Sequence, residues 1–162
     1  MIGGFLYVLT VVAALGCGLA AGALFAFSSF VMKALARLPA AQGIAAMQSI
    51  NLQAPTPWFM TALFGTAAVC VALVVTSFVV GDEPYALYLL IGGGLYLVGT
   101  ILLTIAYHIP RNNALAIVDP DGADAARDWA RYVVRWTAWN HVRVAAALAA
   151  AAVLTAGLRV GA

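Results

Sequence analysis

Charge is what this 162-residue sequence has least of: 9% of its side chains are Asp, Glu, Lys or Arg, and they are unevenly spread. None occurs between Met1 and Met32, and none between Leu38 and Gly81. A soluble globular domain carries about 25% charged residues, so that class is excluded, and the 65% hydrophobic content with a mean hydropathy of +1.00 points to a lipid bilayer. Cysteine is also scarce. Cys17 and Cys70 form no CxxC and both lie in apolar stretches, so they read as small buried hydrophobes with no redox or zinc signature. With only two histidines, His108 and His141, and no carboxylate inside an apolar run, no metal or other cofactor is expected. The net charge of +2 gives no electrostatic footprint for nucleic acid.

What is present is long apolar helix. A hydrocarbon layer about 30 Å thick needs roughly 20 apolar residues per span, which places spans at about 2–36, 58–80, 85–109 and 138–159. The first has no basic leader before its apolar run, so it reads as a retained span rather than a cleaved signal peptide. Within it Gly18 and Gly22 have the GxxxG spacing that permits close helix contact. Leu38, Pro39 and Gly43 end it. Ile44, Met47 and Ile50 then recur at helical spacing, predicting a short amphipathic segment over 43–51. Gly81 to Pro84 form a tight acidic turn, Gly92 to Gly94 allow a kink or a close neighbouring backbone, and Pro110 is expected to end the third span. The expected fold is therefore all-α, a single domain over 1–162: a four-helix transmembrane bundle with a short amphipathic helix after the first span and a long fourth helix.

Lys33, Arg37, Arg111, Arg127, Arg131 and Arg135 flank the first and third connections, against Arg159 alone on the other side. The positive-inside rule puts both long connections in the cytoplasm and both termini outside, in a bacterial inner membrane. The lipid bilayer is the expected surrounding, and self-association into a homo-oligomer stays open. Transport is disfavoured, because four spans show no inverted repeat.

The chemically rich third begins at Arg111. From Asp121 or Gly122 a helix is predicted to run to Leu158, with no proline or glycine between Ala123 and Ala156, and its uncharged end after Arg143 is too short to span alone, which draws Arg143 into the membrane boundary. An intramembrane ionisable residue is by default a site hypothesis. Trp129, Tyr132, Trp136, Trp139 or Asn140, and Arg143 share one face. For Trp129 and Tyr132 an interfacial aromatic belt is an equally good account, whereas Arg127, Arg131 and Arg135, with Asp124 and Asp128, read as a solvated face.

The segments GLAAGALFAFSSFVMKALARLPAAQGIAAMQSIN (18–51), IPRNNALAIVDP (109–120) and WARYVVRWTAWNHVR (129–143) resemble the anthrone-oxygenase-like family of small four-span membrane proteins. The resemblance covers nearly the whole chain, and it implies an oxidoreductase that converts anthrones to anthraquinones. Such chemistry makes three demands on the residues. A base near neutral pH is required, for which His141 and His108 are candidates. Donors must face a developing oxyanion, with Arg143, Arg111, Asn112, Asn140 and Asn51 available. A flat hydrophobic aromatic small molecule needs a dry slot, which Trp136, Trp139, Phe25 and Phe27 would line. The rival reading is a non-enzymatic membrane protein that binds a hydrophobic small molecule, a quinone or a lipid headgroup, or serves as a partner subunit.

Overall fold

The computed structural model describes residues 2–161. Every regular element among them is helical, and four helices are long and apolar enough to cross a membrane: α1 (Gly4–Leu35), α3 (Pro57–Val80), α4 (Ala86–Ala116) and α5 (Ala125–Gly161). The short helix α2 (Ala40–Gln53) follows the first span. These features fit an integral membrane protein. Thr56 starts α3 by accepting the Phe59 N–H on its hydroxyl at 3.2 Å, with Pro57 in the first turn where no intrahelical N–H is needed. Gly81, at φ +59°, turns the chain out of α3 in a conformation that a Cβ would strain.

The spans pack as a ring in which α5 lies between α1 and α4, and α3 closes the circle between α4 and α1. With four spans, the two ends of the chain return to the same side, where the Ile2 N–H donates to Gly161 O at 2.8 Å. The core near this end is built from small residues, Ala13, Cys17, Ala20, Cys70, Ala147 and Ala150, with Leu73, Leu89 and Leu154 between them. Small side chains allow the close backbone approach that drives association in lipid, where apolar burial itself contributes little. Gly92 and Gly93 serve that approach: a Cβ at Gly92 would fall 2.6 Å from Leu154 Cγ, and one at Gly93 would fall 3.0 Å from Cys70 O. Gly18 and Gly22 do not. A Cβ at either would meet nothing within 4 Å, so the GxxxG pair makes no contact within the chain. Both cysteines are buried and free.

The opposite end is capped by α2. Ile44 and Met47 bury against Met32, Leu35, Leu115, Trp129 and Tyr132, and the Trp129 ring lies so near Gly43 that a Cβ there would meet it at 2.8 Å. Gln48 Nε2 donates to Leu115 O at 2.9 Å and Val118 O at 3.0 Å, tying α2 to the end of α4. Two boundaries differ from the sequence expectation. The third span continues through Pro110 to Ala116, because a π-helical turn over Thr104–His108 ends just before the proline and leaves it in the first turn of Ile109–Ala116, where its missing N–H is harmless. The fourth helix begins at Ala125, preceded by a turn in which Asp119 Oδ1 accepts the Asp121 N–H at 3.1 Å.

Candidate functional site

Three spans depart from α-helical geometry at the α2 end. Besides Thr104–His108 and the adjoining Leu97–Leu102 in α4, π-helical turns occur at Phe27–Val31 in α1 and Thr61–Gly65 in α3. A widened turn displaces side chains from the packing register and is common at functional sites. Here the turns surround a cavity of about 390 Å³, within the size range of small-molecule pockets. Its walls include Phe27, Met47, Asn51, Phe59, Leu63, Phe64, Thr104, His108, Asn112, Trp136 and Arg143. A second hollow of about 490 Å³, beside Ser29, Phe30, Lys33 and Arg37, lies along α1 and meets none of this polar cluster.

Arg143 is 5% exposed and is held by two hydrogen bonds: Nη1 donates to Thr104 Oγ1 at 3.0 Å, and Nη2 donates to Asn140 Oδ1. Its Nε has no partner, and its guanidinium carbon lies 5.5 Å from the centre of the Trp136 ring. Among the described residues the ion pairs are Arg127 with Asp124 and Asp128, both at the exposed start of α5, so no carboxylate neutralises Arg143. A buried cation in a membrane protein without a counter-ion is costly, which makes its surroundings a candidate functional site. Asn140, fully buried, fixes it from behind. Both amide hydrogens of Asn140 are committed, to Leu24 O at 2.7 Å and to Ser28 Oγ, which leaves its oxygen for the arginine.

His108, 1% exposed, lines the cavity one helical step from Thr104. Its Nδ1 stands 3.4 Å from Leu103 O and its Nε2 3.4 Å from Trp136 O, and Trp136 meets the imidazole edge-on at 5.2 Å between centroids. Both neighbours are acceptors. A neutral imidazole has one N–H and serves one of them, and the lone pair of the other nitrogen is turned toward the second carbonyl, where a second proton would be hydrogen-bonded. Asn112 completes the wall: its Oδ1 accepts from Tyr132 Oη at 2.9 Å and from Trp136 Nε1 at 3.0 Å.

Of the residues named from the sequence, Asn51, Asn112, His108, Trp136, Phe27 and Arg143 line the cavity, and Asn140 supports it without reaching its wall. Four do not belong to it. His141 is exposed, because it lies one residue past Asn140 and a helix turns about 100° per residue. Trp139, 43% exposed, packs outside against Tyr107 at 5.1 Å, and Arg111 lies 3.6 Å over the same Tyr107 ring. Phe25 is 55% exposed and turned away from Phe27. Trp129 and Tyr132 are buried beneath α2 rather than forming an interfacial belt. Thr104, which holds Arg143, and Gln48, which latches α2, are not singled out by the sequence; the signal for Thr104 is its place four residues before His108, on the same helix face.

Among the described residues no group of three or more His, Cys, Asp or Glu side chains is arranged to hold a metal ion. No curated protein and no solved structure matches the chain. The family model described as anthrone oxygenase matches residues 56–153, a stretch that takes in α3, α4, the following turn and α5 as far as Val153, and so carries His108, Asn112, Trp136, Asn140 and Arg143. That match covers more than half of the sequence, and the chain belongs to the anthrone oxygenase family.

Proposed function

We propose that the protein is a membrane-embedded oxygenase that oxidises a flat aromatic or phenolic ketone of the anthrone type with dioxygen and without a bound cofactor. The observation that carries the reading is Arg143: a buried guanidinium with no carboxylate partner, lining the same cavity as the imidazole of His108. The carbon opposite an anthrone carbonyl is acidic, because loss of its proton gives an aromatic enolate. His108 takes that proton, and the charge that develops on the ketone oxygen is met by Arg143, already oriented by Thr104 and Asn140.

The enolate is electron-rich enough to reduce dioxygen by one electron. Recombination of the resulting radical pair forms a carbon–oxygen bond, and the peroxide anion takes back the proton held by His108, giving a hydroperoxide at the former CH₂. Loss of the remaining C–H proton with cleavage of the O–O bond yields the second carbonyl and water. One anthrone and one dioxygen thus give one anthraquinone and one water. Phe27 and Trp136, in tilted contact with ring centroids 5.9 Å apart, supply an apolar aromatic wall for such a ring system.

Purified protein in detergent, supplied with anthrone, is expected to consume oxygen and form anthraquinone well above the autoxidation rate of buffer with detergent alone. His108→Ala should lower the enzymatic part by about 10²-fold or more, the usual contribution of a general base. No enhancement over autoxidation with anthrone and its phenolic analogues would overturn the oxygenase reading in favour of a protein that binds aromatic molecules without turnover.

A further inference from the structure

We infer that Asn112 and Asn51 form a second oxygen-recognising subsite in this cavity, distinct from Arg143, and that Tyr132 positions it. The inference rests on the reading of the cavity as an aromatic-ketone site and specifies which aromatics it prefers. An indole N–H only donates, so the Asn112 atom 3.0 Å from Trp136 Nε1 is the amide oxygen. The Tyr132 hydroxyl, 2.9 Å from the same oxygen, must then donate as well. With the oxygen occupied twice, the amide cannot flip without setting its NH₂ against the indole N–H. Its NH₂ group is therefore locked on the side away from Tyr132 and Trp136, and no protein acceptor takes it among the described residues.

Asn51 adds a second donor. Its Nδ2 is buried beside the Tyr132 hydroxyl without a partner in hydrogen-bonding geometry, and the side chain lines the same cavity. Asn51 lies one turn past Gln48 on α2, and Asn112 one turn before Leu115 on α4; Gln48 bonds Leu115 O, which sets the two amides at the same end. A buried donor left unsatisfied carries a desolvation cost that a bound acceptor removes. Two unoccupied amide donors with no unpaired carboxylate nearby match a carbonyl or phenolate oxygen.

The position of this subsite follows from α4. Thr104, His108 and Asn112 recur every fourth residue and all face the cavity, with Arg143 held at the first and the amides at the last. About two helical turns of α4, the first of them π-helical, separate the two ends, with the base between them. A substrate whose ketone oxygen meets Arg143 and whose reactive carbon lies by His108 would extend an outer ring toward the amides. An oxygen substituent on that ring would be recognised there.

The test is binding of two redox-inert probes, anthraquinone and 2-hydroxyanthraquinone, to the full chain in detergent, followed by quenching of tryptophan fluorescence. Wild type is expected to bind the hydroxylated probe about tenfold tighter, the discrimination of a well-placed hydrogen bond to an anionic oxygen. Asn112→Leu and Asn51→Leu should each bring the ratio of the two dissociation constants toward one. Tyr132→Phe keeps the ring and loses only the hydroxyl that anchors the amide, so it should reduce the ratio severalfold, an outcome that general loosening of the fold would not produce. It also serves if Asn112→Leu fails to fold. Equal affinity of wild type for both probes, or a ratio that Tyr132→Phe leaves intact, overturns the subsite. Discrimination without anthrone turnover would sink the oxygenase reading alone, and turnover without discrimination would sink the subsite alone.

Discussion

The two ends of this bundle are built from the same four helices yet solve different problems. At the end where the termini meet, α3, α4 and α5 are regular α-helices drawn together by Gly92, Gly93 and Gly157, each of which has a neighbour where its Cβ would be. Little space and few polar groups remain. At the α2 end the helices widen into π-turns, the core changes from alanine and leucine to tryptophan, tyrosine and methionine, and a polar cavity opens. The difference teaches that close packing at one end provides the rigidity that lets the other hold a buried cation and unpaired donors.

The sharpest way to break this comparison is to remove the charge from the open end. Arg143→Met is expected to lower anthrone-dependent oxygen consumption by about 10²- to 10³-fold, the usual effect of losing a donor to a developing oxyanion. Its melting temperature should hold or rise, because a desolvated guanidinium without a carboxylate partner is replaced by an apolar chain of similar length, and this offsets the acceptor left open on Asn140. Activity and thermal unfolding measured on the same detergent preparation check it. A large fall in melting temperature would assign Arg143 a structural role instead.

The closed end should answer in the opposite way. Gly93→Val puts a branched side chain where even a Cβ would lie 2.7 Å from Val74 Cγ2 and 3.0 Å from Cys70 O, and the backbone carbonyl cannot move aside without parting α3 from α4. Overpacking of this kind costs about 1–3 kcal/mol, so thermal unfolding should begin markedly earlier while substrate affinity of the folded fraction is retained. Gly94→Ala is the control. Nothing lies within 4 Å of a Cβ at Gly94, and alanine is the better helix former, so its unfolding temperature should match or exceed that of the parent.

The closed end is also the part most legible in the sequence. Uncharged runs of sufficient length dictate spans, and the glycine triplet marks a close approach, although Gly94 takes no part in it. At the open end the face Trp129, Tyr132, Trp136, Asn140 and Arg143 follows from spacing alone, and all five side chains are buried on that face. What spacing cannot convey is where a helix widens. No residue type requires a π-turn, since the wider turn is stabilised by contacts from other helices, and after each one the α-helical register is shifted. That is why Pro110 reads as a terminator, whereas Thr104 passes unnoticed because an uncharged hydroxyl in an apolar span carries no signal beyond its spacing from His108. Gln48 escapes a reading of the sequence for a related reason: its partners, Leu115 O and Val118 O, are backbone atoms far along the chain.

The smallest expected effect tests the boundary of the site itself. His141 sits between Asn140, fully buried, and Arg143, nearly so, in one of the segments that carry the family resemblance, and sequence alone makes it as good a base as His108. Its side chain nevertheless faces outward from the bundle, on the far side of the helix from the cavity wall, so it has no route to a substrate proton that does not cross the backbone of α5. His141→Ala should therefore leave the oxygen-consumption rate and its pH profile within about twofold of the parent, since an exposed substitution away from packing and hydrogen bonds changes little. The same assay run on His108→Ala gives the contrast. A loss at His141 comparable to that at His108 would mean that α5 turns its other face to the substrate, and the assignment of base, oxyanion donor and amide subsite to a single cavity would fall together.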